Sequence, residues 1–324
     1  MRIGRPLLKL PVKFCGDTLA AQVSALPASA WMEHPAQYDG NTAVPLVSPG
    51  GRLTDDASGP MAPTQWLSQC PYILETMGAL NATWGRSRLM GLGPGASVPE
   101  HVDVHYYWRT HLRIHIPVVT NPEVLFICAG EAVHMKPGEC WILDSFFMHS
   151  VRNGGADTRI HLVLDTVGSS NLWDLVDAAL DGRGEERFIA PGASGAAELD
   201  FEQVNFPPIM SPWEMQCHLN YLGEWTDPVP GKEEILAIAD RFVMSWSGSW
   251  ARFGASPDGL PAYSRHLNDV RAALAAYRGP AVIMRNDRPL GDAIARFILR
   301  NAISPDLTQQ LSSQSPEASL RLTA

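Results

Sequence analysis

The chain lacks an apolar run approaching the roughly 20 residues that a bilayer-crossing helix requires, so a membrane-spanning helix is not expected. It lacks a basic surplus. Lys and Arg number 25 against 34 Asp and Glu, for a net charge of −9. With no excess cations to replace phosphate counterions, neither a nucleic-acid nor an anionic-membrane partner is expected. Cysteine is sparse: Cys15, Cys70, Cys128, Cys140 and Cys217 are an odd number, widely spaced and without a CxxC. That excludes a disulfide framework and points to reduced thiols in a cytoplasmic protein. The opening "MRIGRPLLKLPVKF" has basic residues but no continuous apolar segment and no small-residue cleavage site, and it does not read as a signal peptide. No repeat of fixed period is found.

Present instead are 324 residues, 45% of them hydrophobic, with 26 prolines and 27 glycines. Residues 1–85 mix short strand-like pieces with Pro/Gly punctuation, including a strand over Ala43–Val47 and a helical stretch near Trp66–Leu80. From 86 to 168 the pattern becomes short alternating runs separated by turns such as "NPE" and "KPGE". "SRLMGLGPGAS", "THLRIHIPVV", "EVLFICAGEAVHM", "GECWILDS" and "RIHLVLDTV" each suit a strand of about 5–8 residues. Many short strands at regular spacing predict a jelly roll, that is, a double-stranded β-helix. Residues 171–187 read as helix, and a Pro/Gly-rich connection follows. Beyond it, amphipathic helices carry a stripe of Ile235, Ile238, Phe242 and Trp246. The expected division is therefore a β domain over 1–187, with helical N-terminal elements, and a mostly α region over 188–324 ending in a polar, frayed tail. That α region carries no catalytic motif and is a candidate lid, homodimer surface or carrier-protein dock.

The chemistry concentrates in "PEHVDVHYYWRTHLRIHIPVV". In "HLRIHIP", alternation sets His111, Arg113 and His115 on one face and Leu112, Ile114 and Ile116 on the other. "RIHLVLD" repeats the pattern, with Arg159 and His161 opposite Ile160 and Leu162. A strand face of arginine and histidine suits a barrel interior that binds anions and metals. "HVD" projects His101 and Asp103 to the same side, and His149 lies just beyond the strand ending near Asp144. Two imidazoles and a carboxylate on one face of a metal, with open positions opposite, is the ligand set of non-haem Fe(II) oxygenases. Ten residues after His149, the guanidinium fork of Arg159 suits bidentate capture of a carboxylate. Two alternatives stay open. One is a cupin-type metalloenzyme, an isomerase or a dioxygenase without a keto acid, hinted at by "KPGE" followed by His149 and Asn153. The other is a non-catalytic β-helix binding or sensor module. A zinc hydrolase is less attractive because no separate general base is evident.

On "PGASVPEHVD", "HLRIHIPV", "HMKPGECWILDSFFMHSVRN" and "RIHLVLD", the stretch from about 86 to 169 resembles the aspartyl/asparaginyl β-hydroxylase family. These are Fe(II)- and 2-oxoglutarate-dependent oxygenases on a double-stranded β-helix. It is also similar to bacterial proline 3-hydroxylases. The resemblance implies that His101, Asp103 and His149 bind iron and that Arg159 holds the distal carboxylate of 2-oxoglutarate. It also makes His111 and Arg113 cosubstrate contacts. It implies hydroxylation by dioxygen of an unactivated C–H, at the β-carbon of an amino acid that is free, peptidyl or carrier-tethered. Two positions depart from the mammalian-type pattern: Asp103 replaces a glycine, and Met90 stands where a serine contacts the cosubstrate. Tyr107, Trp108 and Arg109, beside the triad, are candidate substrate contacts.

Overall fold

The computed structural model describes residues 3–35, 38–193, 198–305 and 307, so the polar tail expected to fray lies outside the described residues. The chain divides into two compact units, residues 1–103 with 107–205 and residues 104–106 with 206–324.

The first unit is a β structure. Its strands are β1 (Leu7–Phe14), β2 (Met32–Glu33), β3 (Asn41–Pro49), β4 (Met61–Pro63), β5 (Thr83–Leu92), β6 (Ser97–His101), β7 (Leu112–Val119), β8 (Val124–Cys128), β9 (Glu131–Val133), β10 (Glu139–Leu143), β11 (His149–Asn153), β12 (Arg159–Gly168) and β13 (Arg187–Ile189). They form two sheets. One runs β13-β1-β10-β7-β12-β5-β3-β2 with β4 on β3, and the other β6-β11-β8-β9. From β5 to β12 the chain passes repeatedly between the sheets, so sequence neighbours seldom pair and the two sheets wind as a double-stranded β-helix. The jelly-roll fold expected from the strand spacing is the fold observed. Between the sheets Leu92, Phe126, Cys128, Met135, Leu143 and Val151 form one buried cluster. The larger of these side chains each contribute about 1.5–3 kcal/mol by leaving water.

Turn chemistry fixes the strand ends. Gly138 of "KPGE" has φ +77°, and a Cβ there would lie 2.0 Å from the Phe14 carbonyl oxygen, so only glycine lets β10 start beside β1. Asn153 donates to the carbonyls of Leu92, Gly93 and Asp157 at 2.8–3.0 Å and accepts from Gly155 N, pinning the turn between β11 and β12 to the end of β5. The Pro/Gly-rich connection after residue 187 belongs to this unit. β13 pairs in parallel with β1, Phe201 bridges Trp84, and Glu202 and Met61 are joined backbone to backbone. The chain therefore leaves the β unit at Asn205 rather than at residue 187.

The second unit contains α5 (Pro212–Glu224), α6 (Lys232–Phe253), α7 (Leu260–Ala276) and α8 (Leu290–Ile294), which follow α1 (Gly16–Ser24), α2 (Pro71–Leu80), α3 (Tyr106–Thr110) and α4 (Ser170–Leu180) in chain order. Its apolar stripe is core. Ile235, Ala239, Phe242, Val243 and Trp246 are buried on α6, and the Trp246 ring lies 4.3 Å from Tyr263 while its Nε1 donates to Met210 O. Ile238, expected on that stripe, sits at its half-exposed margin. Among the described residues no helix is long and apolar enough to cross a membrane.

Candidate metal centre and cosubstrate pocket

The ladder between β6 and β11 sets His101 directly opposite His149, with ring centroids 4.2 Å apart. Asp103 follows β6 and is tied down by its backbone N–H to Ser145 O at 3.0 Å. One donor atom from each of His101, Asp103 and His149 lies within 4.8 Å of the others. Both imidazoles are pre-oriented. Nδ1 of His101 lies 2.8 Å from Pro99 O, and Nδ1 of His149 lies 2.9 Å from Phe147 O. A carbonyl only accepts, so each Nδ1 carries the proton and each Nε2 keeps its lone pair for a cation. Burial pushes the His149 imidazole down to about 4, against the pull of Asp103, so it is neutral at pH 7.

Asp103 points one oxygen toward His101 and gives the other to Arg113, whose Nη1 donates at 2.9 Å. Burial alone would raise the Asp103 carboxyl, but Arg113 and the two imidazoles outweigh it and hold it below the usual carboxylate range. Arg113 is itself clamped, with Nε on Asp165 at 3.1 Å and its guanidinium 3.8 Å over the Trp108 ring. Arg113 thus acts on Asp103 rather than standing free to receive a cosubstrate.

These groups line a cavity of about 370 Å³. Arg159 enters it from β12, buried, with Nε unpartnered and, among the described residues, no acidic side chain paired with it. Burial alone pushes its guanidinium down to about 9. His115 enters from β7 with neither ring nitrogen bonded, and burial together with Arg159 drives it well below the ordinary histidine range. Phe126, Leu143 and Val163 supply apolar surface, and Met90 faces the same space.

Three sequence-derived candidates lie elsewhere. His111 is not on the strand, which begins at Leu112. It stacks on Tyr107 at 3.7 Å and puts Nε2 3.0 Å from both oxygens of buried Glu202, with Nδ1 2.7 Å from Tyr107 O. Its place is a buried hydrogen-bonded network outside the cavity lining. Tyr107 completes that network, its hydroxyl accepting from Arg86 N at 2.9 Å. The close approach requires Gly85, where a Cβ would meet the Tyr107 hydroxyl at 2.6 Å and His111 at 3.1 Å. Trp108 does line the cavity, but Arg109 does not. The cupin alternative loses its carboxylate: Glu139 is spent on Lys9 Nζ, Lys136 N and Trp141 Nε1, and Asn153 on its turn.

Sequence reasoning put His115 on the inward face without giving it a role, and it missed the second wall. There β5 presents Arg86, Arg88, Met90 and Leu92 at successive alternate positions, and His34, Tyr38, Asn41 and Asp55 join them from upstream. The i, i+2 spacing of Arg86, Arg88 and Met90 was the available signal.

A double-stranded β-helix holding two histidines and an aspartate on one side of a cavity defines a class, the metal-dependent oxygenases and their cupin relatives. Residues 54–168, a stretch that carries the whole cluster, match the family model described as Aspartyl/Asparaginyl beta-hydroxylase. Solved structures similar to parts of the chain include a 2OG-Fe(II) oxygenase-family oxidoreductase from Burkholderia pseudomallei, with 15% identity, 49% of this chain and 93% of that one covered, and a TM-score of 0.34. A non-haem monooxygenase solved as a nickel complex has 14% identity, coverage of 51% and 75%, and a TM-score of 0.33. A protein of Thermotoga maritima described as a predicted oxalate decarboxylase has 27% identity over 25% of this chain, with a TM-score of 0.21. The chain spans 64% of its length.

Proposed function

We propose that the protein is an Fe(II)- and 2-oxoglutarate-dependent dioxygenase that hydroxylates an unactivated C–H, at the β-carbon of an amino acid or amino-acid-like substrate. The observation that carries this reading is the joint presence, in one cavity, of the His101–Asp103–His149 cluster and the unpartnered guanidinium of Arg159. Two nitrogens and one oxygen on a single face suit Fe(II) and leave open positions toward the cavity. An orphaned buried arginine is costly unless a carboxylate arrives, and the distal carboxylate of 2-oxoglutarate is a ligand of that kind. When bound, the iron and the keto acid supply the oxidising chemistry.

The chain's own residues do the positioning. His101 and His149 offer Nε2 because their Nδ1 protons are held by carbonyls. Arg113 holds the outer oxygen of Asp103 and leaves the inner one for the metal. Arg159 anchors the far end of the cosubstrate, and neutral His115 can present an N–H to a carboxylate. Phe126, Leu143 and Val163 exclude water around the reacting positions. The test is spectroscopic. Anaerobic addition of Fe(II) and 2-oxoglutarate should produce a weak visible charge-transfer band, lost in His101→Ala. Mass spectrometry should find a gain of one oxygen in the substrate with matched succinate release. Absence of the band in the wild type overturns the reading. A small-molecule, peptidyl or carrier-bound substrate remains compatible with it, as does a docking or dimer role for the helical unit.

A further inference from the structure

Resting on that reading, we propose that the substrate carries a carboxylate and that the β5 wall of the cavity seats it, with Arg88 as the receiving side chain and Arg86 beside it. Strand alternation puts Arg86 and Arg88 two residues apart on one face, both nearly fully buried and both lining the cavity. They share one carboxylate. Asp55 Oδ2 accepts from Arg86 Nη1 at 3.0 Å, and its Oδ1 accepts from Arg88 Nη1. Arg88 Nη1 also lies 3.3 Å from His34 Nε2. Arginine can only donate, so that nitrogen accepts and His34 brings no negative charge. Nε and Nη2 of Arg88 are left without a hydrogen-bond partner among the described residues, and that edge of the fork is one that the two oxygens of a carboxylate engage. Burial and the neighbouring Arg86 push the Arg88 guanidinium down to about 10, and Asp55 does not offset them.

Asp55 is fixed between the two arginines. Its loop is bracketed by buried Asn205, which accepts from Gly59 N at 3.0 Å and donates to Ala57 O at 2.7 Å. From there the charges run in a row toward the metal centre. Arg86 Nε lies 3.8 Å from Asp165, Asp165 accepts from Arg113 Nε at 3.1 Å, and both guanidiniums lie over the Trp108 ring, at 5.0 and 3.8 Å. Arg113 also holds Asp103, the carboxylate that a metal takes. Arg86, Arg88 and Arg113 therefore meet two further carboxylates among the described residues, Asp55 and Asp165, and one positive charge is left over. The rest of the cavity balances, because a divalent metal on Asp103 together with Arg159 matches the dianion of 2-oxoglutarate. The surplus falls at Arg88, the end of the row, whose acidic partner is shared. A carboxylate brings the one negative charge that closes the count. A phosphate dianion overshoots it, and an amide leaves a buried guanidinium uncompensated.

The test uses full-length protein loaded with Co(II) and one equivalent of 2-oxoglutarate, titrated with acetate or acetamide and read by paramagnetic broadening of the probe's methyl resonance. The wild type should broaden acetate at concentrations about tenfold or more below those needed for acetamide. The cobalt absorption bands should stay unchanged, because the probe sits off the metal. Arg88→Met should erase the preference, and Asp55→Asn, which removes the shared counterion, should widen it. In the wild type, equal broadening, broadening of neither probe, preference for acetamide or an acetate-induced change in the cobalt bands overturns the proposal. So does an unchanged preference in Arg88→Met or a narrowed one in Asp55→Asn. The iron–2-oxoglutarate band, recorded on the same proteins, separates the two failures. Its absence in the wild type strikes the dioxygenase reading. Its presence with the wrong probe preference strikes the β5 site alone.

Discussion

Arg159 makes the ligand-free β unit less stable than it could be, and replacing it should show this. Arg159 is 4% exposed and, among the described residues, has no counterion. Burial alone pushes its pKa down by more than three pH units, to about 9. At about 1.4 kcal/mol per pH unit, that corresponds to a cost of about 5 kcal/mol for holding the charged form in the empty protein, as an upper bound. The sign follows from linkage. Below pH 9 both folded and unfolded chains carry the proton and the cost is felt in full, whereas above 9 the folded protein releases it and the cost shrinks. Arg159→Met removes the charge and keeps most of the volume, so after relaxation a net gain of about 2 kcal/mol is expected, or about 4–8 °C in the midpoint of the β unit. The same change should abolish the stabilisation that 2-oxoglutarate gives in the presence of Mn(II). In the wild type that is about 2.7 kcal/mol at a hundredfold excess over Kd. Thermal melts of both proteins, with and without the keto acid, measure both effects. A variant that melts well below the wild type and is still protected by 2-oxoglutarate would refute the reasoning.

Asp165→Asn should loosen Arg113 and hence Asp103, weakening metal affinity by about 10–100-fold in a Co(II) titration followed by visible absorption while the fold is retained. Burial keeps His115, His149 and His161 neutral, with His149 at about 4 and the other two well below the ordinary value. The unfolded chain therefore binds more protons as pH falls below about 6.5. The β unit should lose about 1.4 kcal/mol per pH unit for each of them between pH 6.5 and 4, a loss measurable by urea denaturation across that range. His111→Gln should leave 2-oxoglutarate affinity within about threefold, since His111 lies outside the cavity. It should cost stability of about 1–3 kcal/mol by leaving buried Glu202 without its His111 hydrogen bonds.

The metal cluster was legible because its determinants are local. HxD on an extended chain fixes two donors, and the third lies at the start of a strand whose ladder returns to the first. Arg159 was legible from alternation alone. His111 was misplaced for an equally local reason: the helical turn of α3 ends just before it, so the strand's alternation begins one residue later at Leu112. The Asp55 arrangement depends on a loop reaching across from upstream and on Asn205 holding that loop. Neither leaves a periodic trace. The boundary at Asn205 was hidden because this stretch is rich in turn formers, yet residues 187–193 and 198–205 are held by strand and bridge pairings and side-chain contacts that no pattern announces.

β1 lies on the free side of β10, and β3 on the free side of β5. Both strands fall outside the segment that matches the hydroxylase family. A protein trimmed to residues 54–168 would therefore expose two rows of unsatisfied backbone donors and acceptors at once. Such a fragment would recruit copies of itself edge to edge and precipitate, even with every residue of the metal cluster intact. For anyone expressing the matched portion, the strands that hold none of the metal cluster are the ones that keep it in solution.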